Sequence, residues 1–300
     1  MKSKIATIRV DFFKVKAEGL HSSLESLIDC VNALPEDESR SLKLGEDSIV
    51  RLLKVEKNGD FCRGDIVRIK MDDIPIKASG NSSKTEPVSL QDHEGIGKET
   101  AFLYHIPSNI LLIQRTYRGV SSQNFVRYFQ ETTPPQSVLI LESIADSDVI
   151  KRINNMKQFS NLTIKFAQLD KKDLLANENI SVSAALDLSD NYVASNIKIE
   201  MSVGRDKSTG LHLKRVKDTF IDLLKRVNNP SQANILKATV VGINSDQERE
   251  VIELLKCTMK AEIEITYSGR YISYLNRRNA LSDAWVSKKN ELGAMFNSIS

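Results

Sequence analysis

Cysteine, histidine and long apolar runs are all scarce in this chain, and each shortage removes a class of function. The three cysteines, Cys30, Cys62 and Cys257, lie far apart. An odd, scattered set does not make a disulfide framework, so the expectation is a reducing compartment with the thiols acting as small buried apolar groups. The four histidines, His21, His93, His105 and His212, show no HxH or HxxxH spacing, and no CxxC pair accompanies them. A zinc site is therefore not expected. No apolar run approaches the roughly 20 residues that a membrane-spanning helix requires. The segment from Met1 to Asp11 alternates as a strand and lacks the continuous apolar core of a signal peptide. These shortages together lead to the expectation of a cytoplasmic protein with no direct membrane insertion. A GxSxG elbow, a Cys–His nucleophile pair, a fixed-period repeat and a low-complexity tract are also missing.

What is present is an ordinary globular balance. The 300 residues are 41% hydrophobic and 27% charged, with a formal net charge of +3. That charge is too mild to imply nucleic acid unless it is clustered. Lys4 to Val15 reads as a strand and Leu20 to Leu34 as a helix closed by Pro35. Ser48 to Glu56 and Phe61 to Met71 read as a hairpin around Asn58-Gly59, because both residues tolerate positive φ. In its second strand the apolar Val67, Ile69 and Met71 alternate with Arg68 and Lys70. A second hairpin covers Thr100 to Arg115, and Ser121 caps a helix. Helical segments are expected after Asp170 and over Ile180 to Leu188, then a strand at Ala194 to Met201 and a helix at Leu211 to Val227. Further strands at Ile235 to Val241 and Met259 to Tyr267 precede a closing helix, with Glu248 to Leu255 as helix or strand. Short hairpin loops favour an α+β fold of antiparallel or mixed sheets covered by amphipathic helices. The polar stretch from Asp72 to His93 is the expected boundary between an N-terminal region, residues 1–90, and a second region, residues 91–300.

Few residues carry a chemical signature. Gly204 to Gly210 sits between strand and helix like a phosphate loop, but Leu211 and His212 stand where a Lys and a Ser or Thr are needed. Arg205 and His212 fit the loose Arg-Asp-x5-His spacing of small helical ribonucleases, with Arg205 as phosphate stabiliser and His212 as acid/base. Glu262 and Glu264 share a strand face that a metal-dependent nuclease could use, although a solvated outer face explains them as well. Two basic clusters remain. Arg205, Lys207, Lys214, Arg215, Lys217, Lys225 and Arg226 outnumber Asp206, Asp218 and Asp222, and Arg270, Arg277, Arg278, Lys288 and Lys289 outnumber Asp283. Such patches suit contacts to backbone phosphates and carry no base-reading signature.

The order of elements supplies a further expectation. Ile96-Gly97-Lys98-Glu99-Thr100-Ala101-Phe102-Leu103-Tyr104 leads into the apolar strand Ile110 to Ile113. The Ile197-Lys198-Ile199-Glu200 strand, the basic helix, two strands and an Arg-rich closing helix with Ala280 and Trp285 come later. This order resembles the RexA-type exclusion proteins of lambdoid phage and their bacterial relatives in phage-defence regions, over roughly Ile96 to Leu292. The resemblance implies a cytoplasmic, DNA-binding homodimer acting as sensor or regulator in abortive infection, with a separate membrane protein as effector. The expected function is sequence-tolerant DNA binding without catalysis or cofactor, through Arg205, Lys207, Lys214, Arg215, Lys217, Arg277 and Arg278. A ribonuclease using Arg205 and His212, and a non-catalytic protein-interaction scaffold, are the alternatives.

Overall fold

The computed structural model describes residues 3–35, 38–133, 137–167, 196–204, 209–226 and 234–296. In chain order they form β1 (Lys4–Glu18), α1 (Leu24–Ala33), β2 (Ser41–Lys43), β3 (Ser48–Asn58), β4 (Phe61–Lys70), β5 (Lys77–Ala78), β6 (Thr85–Glu86), β7 (Ile96–His105) and β8 (Ile110–Arg115). There follow α2 (Ser122–Thr132), β9 (Val138–Ser143), α3 (Ser147–Asn155), β10 (Met156–Ala167), β11 (Asn196–Ser202), α4 (Leu213–Arg226), β12 (Asn234–Asn244), β13 (Arg249–Glu253), β14 (Lys260–Tyr267) and α5 (Tyr274–Phe296). This is an α+β fold whose registered strand pairs are antiparallel. The helical segments expected after Asp170 and over Ile180 to Leu188 lie outside the described residues.

The chain divides into two compact units. The first combines Met1–Asp11, Val15–Ile140 and Ala261–Ser300, and the second combines Phe12–Lys14 and Leu141–Lys260. The expected division near residue 90 is therefore corrected. β4 and β7 pair from Phe61↔His105 to Lys70↔Ile96, so the polar stretch between them is an excursion within one unit. It holds the small β5–β6 hairpin. A long polar loop resembles a linker in composition, yet its closure entropy grows only slowly with length.

In the first unit the sheet order is β14-β1-β8-β7-β4-β3-β2, with β9 also paired to β1. The β3–β4 hairpin closes with Asn58 opposite Phe61, and Gly59 takes φ 56° in the two-residue loop. A side chain there would have to accept the left-handed region; the turn expected around Asn58-Gly59 is thus centred one residue later, on Gly59-Asp60, with Asn58 in the last strand pair. Alternation along β7 assigns the two sheet faces. Phe102 packs on Phe125 of α2 with ring centroids 5.4 Å apart, whereas His105 packs on Trp285 of α5 at 4.5 Å. α1 begins at Leu24, later than its apolar spacing predicts, because the Ser23 hydroxyl caps it by accepting from Ser26 N–H. Its Leu24, Leu27, Ile28 and Val31 are buried.

The β3–β4 register slips between Leu52 and Lys54. At that slip the buried Tyr128 hydroxyl of α2 accepts from Leu52 N–H at 3.0 Å and donates to the Arg40 carbonyl at 2.8 Å. Tyr128→Phe removes both hydrogen bonds and takes its acceptor from the Leu52 N–H, and the expected loss is about 1–3 kcal/mol of stability. Urea unfolding with an unchanged m-value checks this; an unshifted midpoint would show that water replaces the hydroxyl.

The second unit is a sheet ordered β11-β10-β12-β13 with α3 and α4 on one face. Val149 and Ile153 of α3 and Val216, Phe220 and Leu223 of α4 pack on Leu162, Ile164, Ala238, Val240 and Ile252. Asp146 caps α3 through Asp148 N–H. The stretch read as helix or strand is strand β13 followed by a single 3-10 turn.

Candidate nucleic-acid interface

The cations expected to meet phosphate separate into three groups. Arg205 and Lys207 lie outside the described residues. Lys214 and Arg215 stand exposed in the first turn of α4, with no carboxylate in salt-bridge range among the described residues. Cations at a helix start oppose the macrodipole, and α4 has no acid in that turn to offset them. His212 fits a capping role here. Its Nδ1 accepts from Arg215 N–H at 3.4 Å, and its carbonyl accepts from Val216 N–H at 3.0 Å.

The other three are already engaged. Lys217 donates from Nζ to the Asn154 carbonyl at 2.9 Å, which satisfies an orphan acceptor near the end of α3. Arg277 points into the first unit, with its side chain 6% exposed. It pairs with Asp65, whose side chain is 3% exposed, with Glu99 at 2.8 Å and with the Ile272 carbonyl at 2.6 Å. Arg278 pairs with Glu56. The assignment of Arg277 as a phosphate contact is therefore corrected, because its charge is spent on the buried Asp65, whereas the Arg278–Glu56 pair is partly exposed. Burial is the largest influence on Asp65 and raises its pKa, against the lowering effect of the Arg277 hydrogen bond and charge.

A set of cations that periodicity did not reveal appears on the second unit. The β10–β11 register places Lys165 opposite Lys198, and the β10–β12 register places Lys165 opposite Lys237. Three lysines thus form one row across three adjacent strands. They alternate with the core residues Ile164, Ile197 and Ala238, so the row lies on the sheet face away from α3 and α4. All three are exposed. Lys198 pairs with Glu200 at 2.6 Å, and its hydrogen bond is the main cause that lowers the Glu200 pKa, as the Lys256 hydrogen bond is for Glu253; the Lys237 charge lowers both further. Lys165 and Lys237 have no carboxylate in salt-bridge range among the described residues. Like charges directly opposite each other on neighbouring strands are unfavourable. In the adjacent row Thr239 is buried with its hydroxyl unpartnered among the described residues.

Catalytic groups do not assemble in the same way. Among the described residues, no cluster of three or more His, Cys, Asp or Glu could hold a metal ion. Glu262 is taken by Arg9 at 3.0 Å. Burial pushes the Cys62 thiol up to about 12 and the Cys257 thiol up to about 11, so neither supplies a thiolate at neutral pH.

Residues 6–277 match a protein family described as a "Family of unknown function (DUF6731)". The chain belongs to that family. The DUF6731 match runs through both units and includes the lysine row, α4 and the ion pair of Arg277. No curated protein matches the chain. No helix among the described residues is long and apolar enough to cross a membrane.

Proposed function

We propose that the protein binds nucleic acid through the phosphate backbone, without reading sequence, and that the second unit carries the contact. The row Lys198–Lys165–Lys237 is the observation behind this reading. Three strands place the row over about 10 Å, and a nucleic-acid strand advances about 3.4 Å per phosphate, so two or three phosphates fall within reach. A polyanion relieves the repulsion that Glu200 and Glu253 offset only in part. No Arg or Asn in the row offers a bidentate base contact, which supports sequence tolerance. Lys214 and Arg215 give α4 a smaller basic patch on the other side of the same sheet.

The resemblance to RexA-type proteins supports duplex DNA as the ligand. It also supports a cytoplasmic homodimer acting as sensor or regulator in phage defence, with a separate membrane effector. A ribonuclease reading draws less support, because His212 Nδ1 is occupied by a backbone N–H.

Fluorescence anisotropy of the full chain against labelled duplex DNA, single-stranded DNA and RNA over a salt series tests the proposal. Affinity for duplex should fall linearly in log salt with a slope of about −2 to −3, the value for two or three phosphate contacts. Absence of binding to all three at low salt retires the nucleic-acid reading.

A further inference from the structure

We infer that a cleft at one end of the first unit's sheet is a binding site for a nucleoside phosphate. Arg68, Lys98 and Arg118 hold the phosphates, and the base lies against Tyr117.

The antiparallel order brings the start of β3, the end of β4, the start of β7 and the end of β8 to one end of the sheet. There they enclose a cavity of about 670 Å³, inside the range of small-molecule and cofactor sites. Arg68 and Lys98 are direct cross-strand partners in the β4–β7 register. They share the sheet face that carries Phe102 and α2 farther along. Two cations placed directly opposite each other oppose folding unless an anion joins them. The Arg68 Nε donates to the Ser48 hydroxyl at 3.3 Å, and among the described residues neither Arg68 nor Lys98 has a carboxylate in salt-bridge range. The other two strand cations in the cleft wall are spent: Lys70 pairs with Asp73 at 2.6 Å, and Arg115 grips Asp11 through two hydrogen bonds of 2.9 and 2.7 Å. Asp47 also lines the cleft, next to Ser48, the hydrogen-bond partner of Arg68.

The third wall is the turn between β8 and α2. Gly119 N–H donates to the Thr116 carbonyl at 3.1 Å, and Arg118 sits at φ 60°. That is a left-handed conformation an arginine rarely adopts. Four non-glycine residues among those described have positive φ, and two of them, Asp73 and Arg118, line this cleft. Such outliers persist where the surroundings over-determine them. Here the buried Thr100 does so. Its hydroxyl accepts from Val120 N–H at 3.0 Å, and a Cβ added at Gly119 would come within 2.5 Å of the same oxygen. The pinned turn presents Tyr117 at 81% exposure, with the Arg118 guanidinium 5.2 Å from the ring centroid. An aromatic ring held out of the core beside cations is the chemistry that takes a planar base and its phosphate together, with Arg118 also acting on Asp73 through its charge. Ile96 and Pro75 supply apolar lining for the sugar. Bare phosphate would leave the ring and most of the cavity unused.

Isothermal titration of the full chain with adenosine 5′-diphosphate, inorganic pyrophosphate and adenosine tests the inference. The diphosphate should bind with a dissociation constant on the order of 10–100 μM. Lys98→Ala should weaken it by about tenfold or more, in line with loss of a charge-assisted contact. The same substitution removes the like-charge pair with Arg68, so the thermal midpoint should hold or rise, which separates loss of binding from loss of fold. Tyr117→Ala should weaken the nucleotide about three- to tenfold while leaving pyrophosphate unchanged, as loss of a stacking platform requires. Lys165→Glu, on the other unit, should leave nucleotide affinity unaltered. The inference is overturned by an absence of heat with both nucleotide and pyrophosphate at millimolar concentration, or by full nucleotide affinity in Lys98→Ala. Pyrophosphate binding as tightly as the nucleotide, with Tyr117→Ala changing neither, would overturn the nucleoside assignment.

Discussion

Reversing Lys165 and Lys237 to glutamate together is expected to lower duplex-DNA affinity by about 100-fold near 0.1 M salt and to flatten the salt slope by about two. Both lysines are exposed and free of ion pairs among the described residues, and Lys237 acts on Glu200 and Glu253 only through its charge. The β10–β12 register sets the two new carboxylates opposite each other, whereas Lys165→Glu alone puts one carboxylate between Lys198 and Lys237 and turns both cross-strand repulsions into attractions. Lys165→Glu alone should therefore keep or raise its thermal midpoint while weakening DNA binding by about tenfold. That divergence of stability and binding would not come from a general surface lysine. Lys214→Glu with Arg215→Glu is the comparison. If that pair abolishes binding and the sheet pair changes it less than about twofold, the interface belongs to α4 and the lysine row is only a solvated face.

The two outcomes also bear on what a sequence can reveal about such a surface. Lys198 and Glu200 were readable as one face of β11 because Ile197, Ile199 and Met201 alternate with them. Their alignment with Lys165 and Lys237 was not, because strand register joins segments more than 30 residues apart and single-strand periodicity does not encode it. Arg68 and Lys98 repeat the lesson. The basic face of β4 was legible from its alternation, but the cation opposite Arg68 comes from β7, across the polar stretch that looked like a domain boundary. That misread boundary has the same origin. The first unit is assembled from the beginning, middle and end of the chain, with β14 beside β1 in one sheet, and local composition carries no trace of that pairing. Local signals worked where local physics decides. Asn58-Gly59 marked a turn, and Ser121 marked a helix start.

Arg277 is the instructive error, because its burial was open to inference. It lies four residues before Leu281 and eight before Trp285, in the stripe that buries Ala280, Leu281, Ala284, Trp285 and Leu292. Counting cations along the helix hid the fact that this one faces the core side.

Arg277→Met is accordingly expected to destabilise the protein by about 3–5 kcal/mol, the usual penalty for leaving a buried charge unpaired. Asp65 bears most of it. Burial and the Glu99 charge already raise the Asp65 pKa, and Arg277 supplies the main opposing influence. With the guanidinium gone, the folded-state pKa rises farther above the unfolded value of about 3.9. The native variant then holds a proton that the unfolded chain releases. Its stability falls as pH rises through the interval between those two pKa values, and returns on acidification. Urea unfolding should therefore show a larger penalty at pH 8 than at pH 5, opposite in sign to a loss of ordinary surface carboxylate pairing. Asp65 Oδ1 and Arg277 Nε are both buried without partners among the described residues, so the native pair is incompletely satisfied. Replacing both, Asp65→Asn with Arg277→Met, should recover most of the loss, because an imperfect buried pair contributes little net stability compared with neutral groups. Under conditions where the single variant is folded, its DNA affinity should match the parent. A penalty below about 1 kcal/mol would mean that water reaches Asp65 and that the pair is a surface one; lost DNA binding in the folded variant would return Arg277 to the interface.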